Sequence, residues 1–437
     1  MDYSRAVESL AKMITFKTVS VRNNPEANKT EFAAFRNYLR QRYPNVFAHS
    51  TYEEIGNSGL LFTIKGGGGS APSVLMAHYD VVEEGGTWQK PPFDGVIKDD
   101  VLWGRGTLDT KVTLCGILEA AEQLLGQGFT PKSDLYLAFS GDEEIMGPSA
   151  PAIVDVLEQR GIRPSLVVDE GGAIVSNMFP GVKQQCAVIG IAEKGSADFM
   201  LTATSKSGHA SAPPKVTAVG AVAKAVCRVE AHPFKQRLIP PVRSMLSYLG
   251  SRSENGAVRL LFTNLWLTAP LVKLICRISG GELAAMTRTT CAFTMASGSK
   301  QANVLPKTAS ATANFRILQG DTVESTIRRI QKLAGEEITV TKVYASEPSK
   351  ISLMDSRYDL LAETIRESWP DTLVTPYLMM ACSDSRHFCR ISDHVYRFTP
   401  LHLSKEARGL IHSENERISI TMIDECEAFY SRLIQRL

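Results

Sequence analysis

The chain reads as an α/β fold: a mainly parallel sheet flanked by helices, interrupted by an inserted α+β domain. Three observations predict it. Apolar runs of strand length, "SVLMAHYDVV" (73–82), "DLYLAF" and "SLVVDEGG" (165–172), fit parallel strands covered on both faces. Helical segments alternate with them. "KVTLCGILEAAEQLLGQG" lines up Leu114, Leu118, Ala121 and Leu125 and ends at Gly126 or Gly128, and "PAIVDVLEQRG" lies between the other two strands. Near residue 190 the texture changes: "SADFMLTATS" (196–205) alternates like an antiparallel strand, and helical 218–230 and 322–334 follow with further strands.

An αβ pattern returns from about residue 345. The expected organisation is a discontinuous domain of residues 1–190 and 345–437, with 191–344 inserted. Residues 232–285, with Pro233, Pro240, Pro241 and a helical 264–279, are the least legible part and are read as an elaboration of the insert.

At 437 residues the chain has room for two domains and a large core. Its formal charge of +2 is spread without a basic stripe or acidic tail, so neither nucleic acid nor a membrane is expected as a partner. No apolar run reaches the length of a membrane span; the most lipid-like piece, "APLVKLICRI" (269–278), carries Lys273 and Arg277. The opening "MDYSRAVESLAKMITF" has Asp2 and Glu8 where a signal peptide would be basic and then apolar, so an amphipathic helix and a cytoplasmic location are expected. Eight cysteines without a CxxC pair argue against a disulfide framework and against a thiolate zinc site. "GGGGS" (66–70) sits between two strand-like runs with no helix after it, which makes it a turn, and "WGRGTLD" lacks the third glycine of a dinucleotide fingerprint.

Polar residues collect where strands end, the place where open parallel sheets bind ligands. "VLMAHYD" ends in His78 and Asp80, two apart and so able to face one site, as a metal ligand and its orienting partner do. "LYLAFSGDEEIMG" (135–147) runs into Asp142, Glu143 and Glu144. Ser140 with Glu143 resembles a helix capping box, but Gly147-Pro148 follows too soon for a stable helix, and a solvated loop is the other plain reading. Asp109 precedes a long helix and could be its N-cap. Asp169 and Glu170 close "SLVVDEGG". In "GLIHSENERISI", Ser413 and Glu416 fit a capping box, which gives Glu416 a structural role and leaves His412 without one.

Two histidines and several carboxylates, with no thiolate, form a nitrogen and oxygen ligand set suited to zinc, with cobalt or manganese as alternatives. Five ligands including one acid able to bridge suggest two ions, which could share a hydroxide, with a further carboxylate off the metals to move protons.

In this arrangement the chain resembles the dinuclear zinc exopeptidases and deacylases, which include carboxypeptidase S, aminoacylase, acetylornithine deacetylase and succinyl-diaminopimelate desuccinylase. "HYDVV", "WQKPPFDGVIKDDVLWGRGTLDTK", "LAFSGDEE", "VVDEGG" and "IHSENERISI" are similar to motifs of the carboxypeptidase S branch, in its order and spacing. The resemblance implies a zinc-exopeptidase-like catalytic domain with a lid (dimerisation-type) insert. It implies that His78 and Asp169 hold one zinc, Glu144 and His412 the other, and that Asp109 bridges them. Asp80 would orient His78, and Glu143 would be the general base. "KSGHASAP" implies that His209 polarises the scissile carbonyl. Asn303, Arg316, Ser385 and Arg386 become candidates for gripping a substrate carboxylate, which arginine pairs bidentately.

The branch usually has a histidine before the acids, where this chain has Gly141, and often glycine and threonine where this chain has Cys382 and Ser383. Asp142 receives no role. The implied activity is hydrolysis of an amide bond beside a free carboxylate, on a short peptide or an N-acyl amino acid. A dipeptidase or aminopeptidase is the rival within the family. A catalytically silent binding protein is the rival outside it, marked by loss of Glu143 or a ligand, and none is lost. A homodimer through the lid and a monomer are both compatible with the enlarged insert.

Overall fold

The computed structural model describes residues 3–24 and 26–437; Asp2, one of the acids read at the start of the chain, lies outside them. The described chain forms two compact units. One runs up to Ile191 and takes in Ile351–Tyr377 and Ser383–Leu437; the other comprises Ala192–Lys350 and Leu378–Cys382.

The first unit is built on a nine-stranded sheet. In spatial order its main path runs Ser50–Ile55, Gly59–Ile64, Ser133–Ser140, Gly69–His78, Leu166–Asp169, Val395–Arg397, Cys186–Glu193 and Leu373–Met379. The four strands from Ser133–Ser140 to Val395–Arg397 are mutually parallel, and antiparallel strands flank them. The apolar runs are buried as continuous strands must be: Val74, Leu75, Leu137, Phe139, Leu166 and Val167 have essentially no exposure. The helix Lys111–Gly126 is buried along nearly its whole length, including its polar Glu119 and Glu122. Glu119 accepts from Arg5 and Ser9 of the first helix, and Glu122 accepts from Val46 N and Asn45, so each buried carboxylate is satisfied.

The second unit has a four-stranded antiparallel sheet in the order Thr290–Ser297, Thr308–Ile317, Gly195–Thr204, Ile338–Ser346. Helices Ala218–Ala231 and Val323–Ala334 share a core with it around Phe199, Phe315, Ala225 and Ile330. Residues 232–285, illegible in sequence, are mainly four short helices: Pro240–Ser251, Gly256–Thr263, Leu265–Ser279 and Gly281–Thr287. Among the described residues no single helix is long and apolar enough to cross a membrane.

Candidate metal centre

Parallel pairing aligns the carboxyl ends of the central strands. His78 lies opposite Ser140, and Tyr79 N–H donates to Ser140 O at 2.9 Å, so the acid-rich loop starts beside His78. That loop is not a helix start. It is tied down by Asp80, whose Oδ1 accepts Glu143 N–H and whose Oδ2 accepts Glu144 N–H, each at 3.1 Å, with Ser20 Oγ donating to Oδ2 at 2.7 Å. Asp80 also faces His78 Nδ1, through its carbonyl at 3.0 Å and Oδ1 at 3.3 Å. Both are acceptors, so the Nδ1 proton is directed at Asp80 and Nε2 is left with its lone pair.

His78 Nε2 faces two carboxylates, Asp109 Oδ1 at 3.1 Å and Glu170 Oε1 at 3.3 Å. His412 Nε2 likewise faces Asp109 Oδ2 at 2.9 Å and Glu144 Oε2 at 3.1 Å. Asp109 thus turns one oxygen to each ring. A nitrogen lone pair pointed at two anions is repulsive unless a positive charge sits among them, and one ring proton cannot serve two carboxylates equally. Ligand atoms of His78, Asp109 and Glu144 all lie within 4.8 Å of one another, as do those of His78, Glu143 and Glu170. Glu144 Oε1 is buried with no hydrogen-bond partner among the described residues. An all-nitrogen-and-oxygen donor set with an orphaned buried carboxylate oxygen fits divalent zinc, cobalt or manganese.

The proton affinities carry the same message. Burial pushes the Glu143 and Glu144 carboxyls up and raises that of Glu170 to about 8. Hydrogen bonds to Asp109 and Glu144 raise His412 to about 10. Burial works against the charge of His78, but the surrounding carboxylates hold its affinity well above the ordinary histidine value. The cluster takes up positive charge, whether as protons or as metal ions.

Several expected placements change. Asp109 is not a helix N-cap; that position is Thr110, and the Asp109 side chain points to the histidines. The expected ligand Asp169 ends its strand with Oδ2 accepting Ser385 N–H at 2.9 Å, while its neighbour Glu170 reaches His78. Glu170 lies just past the end of the strand, in a bend, and its carboxylate turns toward the ring. Ser385, expected to grip substrate, is fully buried, its hydroxyl 2.7 Å from Ser383 Oγ. Arg386 donates through Nη1 to Ser383 O at 2.6 Å. Glu416 caps no helix; the last helix begins at Ile420 under Ser419, and His412 and Asn415 adopt left-handed backbone that breaks any earlier helical turn. Glu416 instead accepts from Leu108 N–H at 2.7 Å, Gly106 N–H at 3.1 Å and Arg105 Nη1 at 2.8 Å, which fixes the loop leading to Asp109.

Asp142 now has a role. Its Oδ2 accepts Ser149 Oγ at 2.7 Å and its carbonyl accepts Gly147 N–H at 2.7 Å, closing the acid loop onto the helix Ser149–Gln159. A Cβ at Gly147 would lie 2.2 Å from the Asp142 carboxyl carbon, so the closure requires glycine. Sequence reasoning missed Asp384, which accepts Ser140 Oγ and is pushed up to about 7 by burial.

In the second unit, exposed His209 pairs with Val304 in a two-residue ladder. Ser211 N–H donates to its Nδ1 at 3.2 Å, which leaves Nε2–H as the donor. Asn303 O accepts Ala210 N–H at 2.9 Å beside it. Arg316 lies on the strand Thr308–Ile317 with Nη1 3.4 Å from Cys382 Sγ.

A histidine at a parallel strand end and a second from a turn, set around a shared aspartate, define a metal-dependent hydrolase of the two-ion type. The chain belongs to peptidase family M20/M25/M40, whose family model matches residues 74–436. It is 34% identical to probable carboxypeptidase S-like 2 of Dictyostelium discoideum, covering 98% of this chain and 84% of that protein. It is 35% identical to the N-fatty-acyl-amino acid synthase/hydrolase PM20D1 of Mus musculus, covering 98% and 87%. Carboxypeptidase S of Saccharomyces cerevisiae is 28% identical over 95% of this chain and 81% of its own. The fold is that of the metallo-carboxypeptidase Sso-CP2 of Sulfolobus solfataricus, at a TM-score of 0.73 and 18% identity over 100% of this chain and 99% of that one. The chain is a family M20 hydrolase, with relatives that fit carboxypeptidase or deacylase activity.

Proposed function

We propose that the protein hydrolyses N-acyl amino acids at the amide bond, with His78, Asp109 and Glu170 holding one zinc and Asp109, Glu144 and His412 the other. The observation that carries this is Asp109, with one oxygen toward each histidine. Glu170 takes the place expected of Asp169 because its oxygen is the one beside His78. Ions held by these residues would supply a Lewis acid for the carbonyl and an acidified water.

The chain's own residues do the rest. Glu143 takes a proton from the attacking water and returns it to the departing amine. Asp80 fixes the Glu143 backbone and the His78 ring together. An acyl group fits as the second part of the substrate because several relatives with 33–35% identity are named N-fatty-acyl-amino acid synthase/hydrolases.

The second reading is a carboxypeptidase acting on short peptides, favoured by the likeness to carboxypeptidase S and its relatives. A hydrolysis panel separates them: long-chain N-acyl amino acids, N-blocked dipeptides and free dipeptides, each with zinc, cobalt or manganese added. The proposal expects turnover of the acyl amino acids first. Turnover of free dipeptides alone would remove both readings in favour of a dipeptidase.

A further inference from the structure

The helix Leu265–Ser279 is apolar on two opposite faces. Leu265, Val272 and Cys276 point into the second unit and are buried. On the other side Leu267, Leu271, Leu274 and Ile278 form an i, i+3/i+4 stripe in the open with Trp266 beside it, Trp266 being 82% and Ile278 76% exposed. Leu260, 68% exposed, adds to it from the preceding helix Gly256–Thr263, whose axis meets this one at a bend of 112°. Single exposed leucines are ordinary; a contiguous patch with a tryptophan in it marks a contact surface.

Charge decides what the patch meets. Residues 256–279 contain Arg259, Lys273 and Arg277 and no acid, in a chain whose overall formal charge is only +2. Lys273 and Arg277 are four apart and fall on one margin of the apolar stripe, where long basic side chains can reach past it. A second copy docking face to face would bring basic margin against basic margin. An anionic lipid surface offers hydrocarbon to the stripe and phosphate to the margin. We infer that these two helices lie on the surface of an anionic bilayer, with Trp266, Leu271 and Leu274 in the headgroup and acyl boundary and Lys273 and Arg277 on the phosphates.

The sequence predicts no membrane partner because the charge is spread over the whole chain, and no run is long enough to span a bilayer; the local excess of base in 256–279 does not show in a whole-chain count. Lying on a surface needs no such length. The inference is independent of the hydrolase reading, since binding is measured without turnover.

The test is flotation of the full chain with vesicles of phosphatidylcholine alone or mixed with phosphatidylglycerol. The expected result is co-flotation with the mixed vesicles that weakens as salt is added. Trp266→Ser with Leu271→Ser should reduce that binding by roughly 10- to 100-fold at an unchanged Tm. Lys273→Glu with Arg277→Glu should abolish the preference for phosphatidylglycerol. Failure of the unmodified chain to float with the mixed vesicles overturns the inference. So does a dimer in sedimentation that the Trp266→Ser, Leu271→Ser variant converts to monomer, which would make a second copy the occupant.

Discussion

Asp80 Oδ1 accepts the backbone N–H of Glu143 at 3.1 Å while the same carboxylate faces the His78 ring. One buried acid thereby sets the position of a metal-ligand candidate and of the proposed base. The sequence assigned Asp80 only the first of these tasks, because a contact to a backbone amide 63 residues away leaves no spacing pattern.

Asp80→Asn should therefore damage both. The amide offers one oxygen in place of two, so it cannot accept Glu143 N–H, Glu144 N–H and Ser20 Oγ–H together as the carboxylate does. Loss of kcat/KM by roughly 10- to 100-fold is expected, with weakened zinc retention measured on the same sample.

Glu143→Gln keeps the shape of the loop and removes the base. Activity should fall by about 10²- to 10⁴-fold while zinc content and Tm stay close to the parent. Full activity in the variant would leave Glu143 without its proposed role.

Glu170 and Asp169 are distinguished by substitution. Glu170→Ala should lower zinc affinity by roughly tenfold or more. Asp169→Ala should instead leave the buried Ser385 amide unpaired, at a cost of about 1–3 kcal/mol in urea unfolding, with both zincs retained. The reverse pattern would return the ligand assignment to Asp169.

The raised proton affinities set the pH dependence of the metal-depleted protein. Glu170 holds its proton to about 8 against 4.5 in a free side chain. Its contribution is complete below the lower value and is lost as pH rises through the upper one. His412, raised from 6.5 to about 10, has the same sign. Chelator-treated protein should lose Tm as pH rises from about 4.5 to about 10, and added zinc should restore more of it at the upper end, since the ions displace those protons. Differential scanning calorimetry with and without zinc reads both trends.

Glu416→Ala should destabilise the fold by about 3–5 kcal/mol, because Arg105 would be left charged and buried at 2% exposure. Urea midpoints check this, and Glu416→Gln should recover part of the loss through its remaining acceptor.

What the sequence determined by itself follows from local physics. Apolar runs such as "SVLMAHYDVV" mark strands covered on both faces, and their polar ends put His78, Asp80 and Glu144 at strand mouths, while Asp109 was legible only as a turn before a helix. The antiparallel insert was legible for the same reason: its alternation has a period of two. Tertiary structure alone decided which oxygen faces which ring. "VVDEGG" contains two adjacent acids, and the bend at the end of the strand Leu166–Asp169 turned Glu170 to His78 while Asp169 met the Ser385 amide. "IHSENE" has the letters of a capping box, yet two left-handed residues and three buried donors drew Glu416 inward to hold the Asp109 loop. Local spacing specifies the kinds of side chain a site can use. Register and burial choose among them, because a buried donor or charge must find its partner wherever in the chain that partner lies.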